Sequence, residues 1–329
     1  MVRYRCLTCR KTFGQQAFDP TYYKKKAHLL EPIAAAFAAN SCHRQIARTV
    51  GCAPSTVTHW IAHLGRHSLL LLNRTSAAAR LHEPIVYDHL ETFAHGQDYP
   101  CGIGIAVGHR SWFAYGLDFA AHRRTGQMTT EQKIRQERIP RPKEDPYRRA
   151  LRDTARILLS RSRRRLHLIT DGKPSYVDAL RSPSLQRRVL HEVHPNPRRT
   201  PEDRALARAR DRAMFPSDQL HALLRHSSSN LKRETIAFSK RHNALLERIA
   251  FLLVWRNLVK RRSERVPEAP TAAMVVGITK RPWSWEQVFG RRLFPWRERL
   301  PASWERIYRR LIVTTPLAVN RPHALRNAF

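Results

Sequence analysis

Acidic residues are scarce in this chain. Asp and Glu number 26 against 60 Lys and Arg, which leaves a formal net charge of +34 over 329 residues. No fold requires such a surplus. It makes a field that draws polyanions, of which nucleic acid is the usual one, with an anionic membrane surface as the competing partner. Long apolar runs are missing as well. Leu69-Leu70-Leu71-Leu72 is only four residues, which excludes it as a membrane-spanning helix. Cysteines are five, an odd number without regular spacing. That count argues against a disulfide scaffold and for a reducing cytosol. The opening run Met1–Cys6 carries no apolar signal segment, so a cytoplasmic location is expected. The length allows two or three domains with a real core.

What the chain does have is organised around Pro84–Phe93. Ile85, Tyr87 and Phe93 are β-formers, and Pro84 suits the start of a strand. Asp88 stands in the middle of that strand, where an unpaired carboxylate is costly to bury. It is either a solvent-facing position of an alternating strand or a metal-binding carboxylate in a sheet.

Before the strand, Cys6-x-x-Cys9 followed by Phe13 reads as one knuckle of a zinc ribbon. A complete ribbon needs two, so Zn²⁺ binding by Cys6 and Cys9 is a partial expectation. The missing pair fits either a start placed too late or a half-ribbon that has lost its metal. Residues 28–67 read as helical. Ile46, Ala47 and Val50 line one face, Gly51 allows a turn, and Pro54 suits the first turn of the next helix. Val57, Trp60 and Ile61 give that helix a buried side and leave Ser55, Thr56, Thr58 and His59 on the other. The pattern is a helix-turn-helix, whose second helix would enter the major groove of DNA; a plain helical hairpin is the alternative.

After it, residues 84–119 read as three antiparallel strands, and 122–145 as a long basic loop able to lie along a phosphate backbone. A helix follows over 146–163, then a strand at Leu166–Thr170 stopped by Asp171-Gly172, a short helix near Tyr176, and a strand at 188–193. Residues 195–212 read as a loop running into a helix, and 216–262 as helical throughout. The order of elements predicts an α/β sheet with mixed strand directions. In the last stretch, Trp283, Trp285, Trp296 and Trp304 alternate with arginines. Tryptophans so spaced more often anchor a small core than stack on bases.

Asp88 in the first of these strands and Asp171 at the end of the fourth would converge in a ribonuclease H-like sheet. Asp218, near the start of the helix after the fifth strand, would join them. Three close carboxylates need cations, and hard oxygen ligands suit Mg²⁺ or Mn²⁺, the ions that support in-line attack on a phosphodiester. Four stretches resemble the DDE/DDD insertion-sequence transposases, closest to the insertion-sequence-one group. They are the Tyr4–Phe13 knuckle, Asp88-His-Leu-Glu91-Thr-Phe93, Thr170-Asp171-Gly172 with Tyr176, and Arg233-Glu-Thr235-Ile-Ala-Phe238-Ser239-Lys240.

The resemblance implies a ribonuclease H-like catalytic domain over 80–262 with an N-terminal all-α helix-turn-helix domain over 25–75. A partial zinc-ribbon-like segment would precede them over 1–24, and a Trp/Arg-rich segment would follow over 263–329. It implies metal ligation by Asp88 and Asp171. It places the third acid at Asp218, with Glu234 and Glu247 as rivals. Asp218 stands where the family usually has Glu, one methylene longer. Glu91 falls on the opposite face of the strand from Asp88. Tyr176, Arg233 and Lys240 become candidate DNA contacts beside Ser55, Thr56, Thr58 and His59. The implied activity is Mg²⁺-dependent strand cleavage and strand transfer at transposon ends. The implied partners are terminal inverted repeats, target DNA and further copies of the chain, in the nucleoid of a bacterial cytoplasm. A transposase-derived DNA-binding protein without catalysis, or a sequence-specific repressor, is the other class.

Overall fold

The computed structural model describes residues 2–198, 200–232 and 234–320. It is a mixed α/β protein around one six-stranded sheet. The N-terminus forms a small antiparallel hairpin of β1 (Arg3–Arg5) and β2 (Thr12–Gly14). Three helices follow: α1 (Leu30–Ala38), α2 (His43–Thr49) and α3 (Pro54–Ala78). Val57, Trp60 and Ile61 are buried and Ser55, Thr58 and His59 exposed, as their spacing predicts. α3 runs on past the turn for 25 residues and packs on the sheet and on a later helix. Among the described residues, no helix is long and apolar enough to cross a membrane.

The sheet is built from β3 (Ile85–Phe93), β4 (Pro100–Gly108), β5 (Ala114–Leu117) and the two-residue β6 (Ala120–Ala121). After α4 (Thr130–Glu137) and α5 (Pro146–Arg161) come β7 (Leu166–Thr170), α6 (Pro174–Leu180), α7 (Pro183–Gln186) and β8 (Val189–Val193). The order across the sheet is β5-β4-β3-β7-β8, with β6 beside β4. The first three are an antiparallel meander; β3, β7 and β8 run parallel. The parallel part is joined by helical crossovers, as parallel pairing requires.

Of the later helices, α8 (Arg204–Ser227) packs on the sheet and α9 (His242–Val254) packs on α3. Val86 of β3 and Ile169 of β7 pack on Ala213 and Met214 of α8. On the other face, Tyr87 and His89 meet α5 and α6 through Thr154, Tyr147 and Tyr176. The sheet is therefore a middle layer between α8 and the α5/α6 pair, and alternation along β3 decides which residue meets which layer.

Three expectations are corrected here. Residues 122–145 are not one long loop: Thr129 and Gln132 form a reciprocal capping box that starts α4. Gln136 of that helix is buried, bonded to Arg123, Arg124 and the Asp98 carbonyl, so those two arginines are drawn back onto the protein. Asp218 is not near a helix start. α8 begins at Arg204 and carries Pro216 inside it, because Ala207, Ala213, Met214, Leu220 and Leu224 keep one face buried across the proline. Residues 216–262 are not continuous helix either. Ser228, Ser229 and Asn230 interrupt it: the Ser228 hydroxyl bonds Asn230 Oδ1, and the Ser229 N–H donates to Asn40 Oδ1 from the α1–α2 turn in place of the helix ladder.

The Trp/Arg-rich segment is mainly structural. Trp304 is buried, Trp285 stacks on Phe251 and Phe289, and Trp296 alone of the four is largely exposed, at 69%. Arg292 reaches back to the carbonyls of Ala17 and Phe18, fastening the N-terminal hairpin to this segment.

Candidate active site

Ile85 pairs with Leu168 and Val86 with Ile169 across the parallel strands. The same register, continued along both chains, sets Asp88 beside Asp171. Val86 and Ile169 face α8, and side chains two residues on share their face. Asp88 shares the face of Val86, and its Oδ2 stands 3.8 Å from His221 Nδ1 of α8; Asp171 lies at the turn just past the end of β7.

Asp171 follows the last residue of β7 and accepts the Lys173 N–H at 3.1 Å. Gly172 adopts φ +81°, and a Cβ there would stand 2.7 Å from Val193 Cγ1. The turn that ends the strand thus needs glycine twice over, for its backbone angle and for the space.

Asp88 is largely buried. Burial pushes its carboxyl up to about 6, and the charges of Asp171 and Asp218 add to the rise against the pull of the His89 N–H. Asp171 and Asp218 therefore lie close enough for their charges to be felt at Asp88. The site is electrostatically short of positive charge.

α8 supplies the other wall. His221 is buried, with Nδ1 3.8 Å from Asp88 Oδ2 and no hydrogen-bond partner for Nε2 among the described residues. Burial, then the charge of Arg225, lowers it to about 3, so the ring is neutral. Asp218, one turn earlier on α8, is held by Arg210 through both carboxylate oxygens. Burial acts to lower the Arg210 guanidinium, but the bond and charge of Asp218, with Asp211 and Asp88, carry it upward.

The residues present fit a hard divalent cation in part. Asp88 and Asp171 are paired oxygen donors in need of a counter-charge. Asp218 is turned to a guanidinium instead. Among the described residues, no three His, Cys, Asp or Glu side chains are placed to hold one ion together.

The opposite side of β3 locks Asp88 in place. Tyr176 Oη lies 2.7 Å from His89 Nδ1 and 3.4 Å from Asp88 Oδ1. His89 Nε2 lies 3.3 Å from Asp118, whose carboxylate also accepts from Tyr87 and Thr154 at 2.7 and 2.6 Å. A Cβ at Gly104 would fall 2.3 Å from both Asp118 and Tyr87, so this network closes only over glycine. Tyr176 is 1% exposed. That corrects its expected role as a DNA contact: the ring faces the buried layer because α6 packs its apolar side against the sheet.

The remaining expected residues sort as follows. Glu91 lies on the α5 face, away from Asp88. Burial acts to raise its carboxyl, but His122, Lys173 and Tyr147 together hold it at about 2. Glu247 is buried in α9 between Arg310, at 2.6 and 2.8 Å, and Arg66, at 3.5 Å. It is a structural ion pair and not a third acid. Glu234 is exposed in the stretch between α8 and α9, as is Lys240, beside Ser239, which bridges Ala94 just past the end of β3. Arg233 lies outside the described residues.

Thr56 is half-buried, and the Thr58 hydroxyl is tied to His43 at 3.0 Å. At the N-terminal hairpin, the Cys9 N–H approaches Cys6 Sγ at 3.5 Å and draws that thiol downward. No third zinc ligand joins the pair among the described residues.

Sequence reasoning missed His221 and Arg210. A signal for His221 was present: three residues after Asp218, it shares a helix face with it. Nothing local marked Arg210. No protein-family model matches this chain, and no curated protein matches it.

Proposed function

We propose that the chain is a metal-dependent polynucleotidyl transferase of the DDE/DDD insertion-sequence kind, with a ribonuclease H-like sheet and a helix-turn-helix that grips DNA. The observation that supports this reading is the nearness of Asp88, inside β3, to Asp171, just past the end of the neighbouring parallel strand, with the Asp88 carboxyl pushed up by burial and by the charges of Asp171 and Asp218. A divalent ion bound there supplies charge neutralisation and an activated water or 3′-hydroxyl for attack on a phosphodiester. The chain's own groups do the positioning. Tyr176 and the His89 N–H fix one oxygen of Asp88, and Lys173 fixes Asp171. Ser55 and His59, exposed on α3, and Lys240, exposed next to Ser239, would meet DNA. The net charge of +34 holds the backbone.

The second reading is a transposase-derived DNA-binding protein without catalysis. The Arg210–Asp218 pair favours it, because the third acid is already neutralised. A duplex carrying the flanks of the chain's own gene separates the two. With Mn²⁺ or Mg²⁺ the enzyme cuts and joins strands, and Asp88→Asn or Asp171→Asn abolishes this while binding persists. Tight binding with no strand breakage in either ion would leave only the second reading.

A further inference from the structure

The molecule has a second charge imbalance, opposite in sign to the first. A cavity of about 570 Å³ opens between the turn at Tyr23–Lys26 and the first turns of α3. Its walls include Lys24, Lys25, Lys26, His59, Arg66 and Arg310, and no acidic side chain among the described residues lines it. Arg66 forms the back wall. It is 5% exposed, yet its Nε has no hydrogen-bond partner among the described residues. Its Nη1 reaches only the rim of Glu247, at 3.5 Å, because Arg310 takes both oxygens of that carboxylate. One carboxylate thus serves two guanidinium groups, and one buried positive charge is left over.

Lys24 adds another in front. Its amine stands 5.7 Å from the centre of the Trp60 ring, half-buried. Burial, then the charge of Arg66, pulls this amine down. Like charges enclosed together are unfavourable unless an anion shares the space.

We infer that this cavity is a phosphate-binding site that seats one backbone phosphate of bound nucleic acid. The inference rests on the DNA-binding part of the function proposed above, not on its catalysis. The shape of the site carries the assignment. Thr56 and His59 line the cavity from α3, the helix whose exposed side offers Ser55 and His59 to DNA. A duplex lying against that side brings a phosphate to the cavity mouth, where Lys25 and Lys26 are exposed. Contacts of this kind fix the register of a helix on the duplex without reading bases. A free phosphate ion offers the same chemistry, so the test must tell the two sources apart.

The test uses the full chain with Asp88→Asn in chelator, so that cleavage plays no part. Affinity for a random-sequence duplex is measured across a KCl series. With Lys24→Gln and Lys26→Gln combined, the slope of log K against log salt falls by about 1, and affinity at 0.1 M salt falls roughly tenfold. Lys24→Arg keeps both values, which separates charge from folding. Millimolar inorganic phosphate raises the melting temperature of the parent and not of the double variant.

An unchanged slope in the double variant overturns the proposal. If inorganic phosphate still stabilises the parent in that case, the cavity is a free-anion site and the nucleic-acid assignment is wrong. Failure of strand cleavage in the native chain leaves these binding results untouched, so the two readings fail separately.

Discussion

Arg210 and Asp218 are joined across eight positions of one helix, guanidinium to carboxylate, beside the Asp88–Asp171 pair. Eight residues of α-helix rise about 12 Å, so the contact needs most of the reach of an arginine side chain. Pro216 lies between them and removes the backbone bond to the Arg212 carbonyl. The pair places a protein cation where the site is short of positive charge.

Removing that cation tests the third ligand. Arg210→Ala frees Asp218 and leaves the acids less neutralised. Half-maximal stabilisation by Mn²⁺ should then come at a several-fold lower concentration, read as melting temperature against ion concentration. Arg210→Ala combined with Asp218→Ala should return toward the native value. If the single and double variants respond alike, Asp218 is not a donor.

Asp88→Asn should stabilise the metal-free protein. The folded carboxyl sits at about 6 against about 3.9 unfolded, so the unfolded chain gives up its proton first as pH rises. Stability is therefore lost between about pH 4 and 6, and the full cost is present above that. Denaturant unfolding at pH 8 should show a gain on the order of 3 kcal/mol for the variant, shrinking toward pH 4. A variant no more stable at pH 8 would mean that the carboxylate is relieved by contacts not accounted for above.

Divalent ions should reverse that order. Mg²⁺ or Mn²⁺ should raise the melting temperature of the native chain and not of Asp88→Asn or Asp171→Asn. Binding requires the Asp88 proton to leave, so the effect should fade as pH drops through about 6. A stabilisation that is flat from pH 5 to 8 would place the ion elsewhere.

Tyr176→Phe separates a buried positioning role from a DNA contact. It strips the hydroxyl from His89 and Asp88, leaving a buried ring nitrogen without its partner, which costs about 1–3 kcal/mol. Its salt dependence of DNA binding should match the native chain, whereas Lys240→Ala should weaken binding. Any loss of DNA affinity in Tyr176→Phe beyond its loss of folded protein would restore the tyrosine to the surface role.

Glu247→Gln distinguishes the discarded rival acid. It leaves Arg66 and Arg310 paired with a neutral amide, a change expected to cost about 3–5 kcal/mol in unfolding. Strand cleavage per folded molecule should be unchanged. A stable but inactive variant would return Glu247 to the catalytic set.

Local pattern made much of the framework legible. β-formers bounded by turn residues marked β3, β4, β7 and β8, and Asp171-Gly172 marked the stop of β7. Apolar spacing marked which side of α3 is buried. These features follow from steric preference and side-chain period within a few residues, so the chain alone determined them.

Which faces meet is a different matter, and only the tertiary structure decided it. Tyr176 lies under β3, Glu247 faces two arginines far away in sequence, His221 stands beside Asp88, and Arg66 is left partly unpaired behind a basic cavity. Each depends on how layers from distant segments stack, and charge and burial are set by those neighbours rather than by the residue's own surroundings in the chain. The sequence supplied the acids and the cations. The packing of α8 and α9 settled which are already neutralised and which still lack a counter-charge.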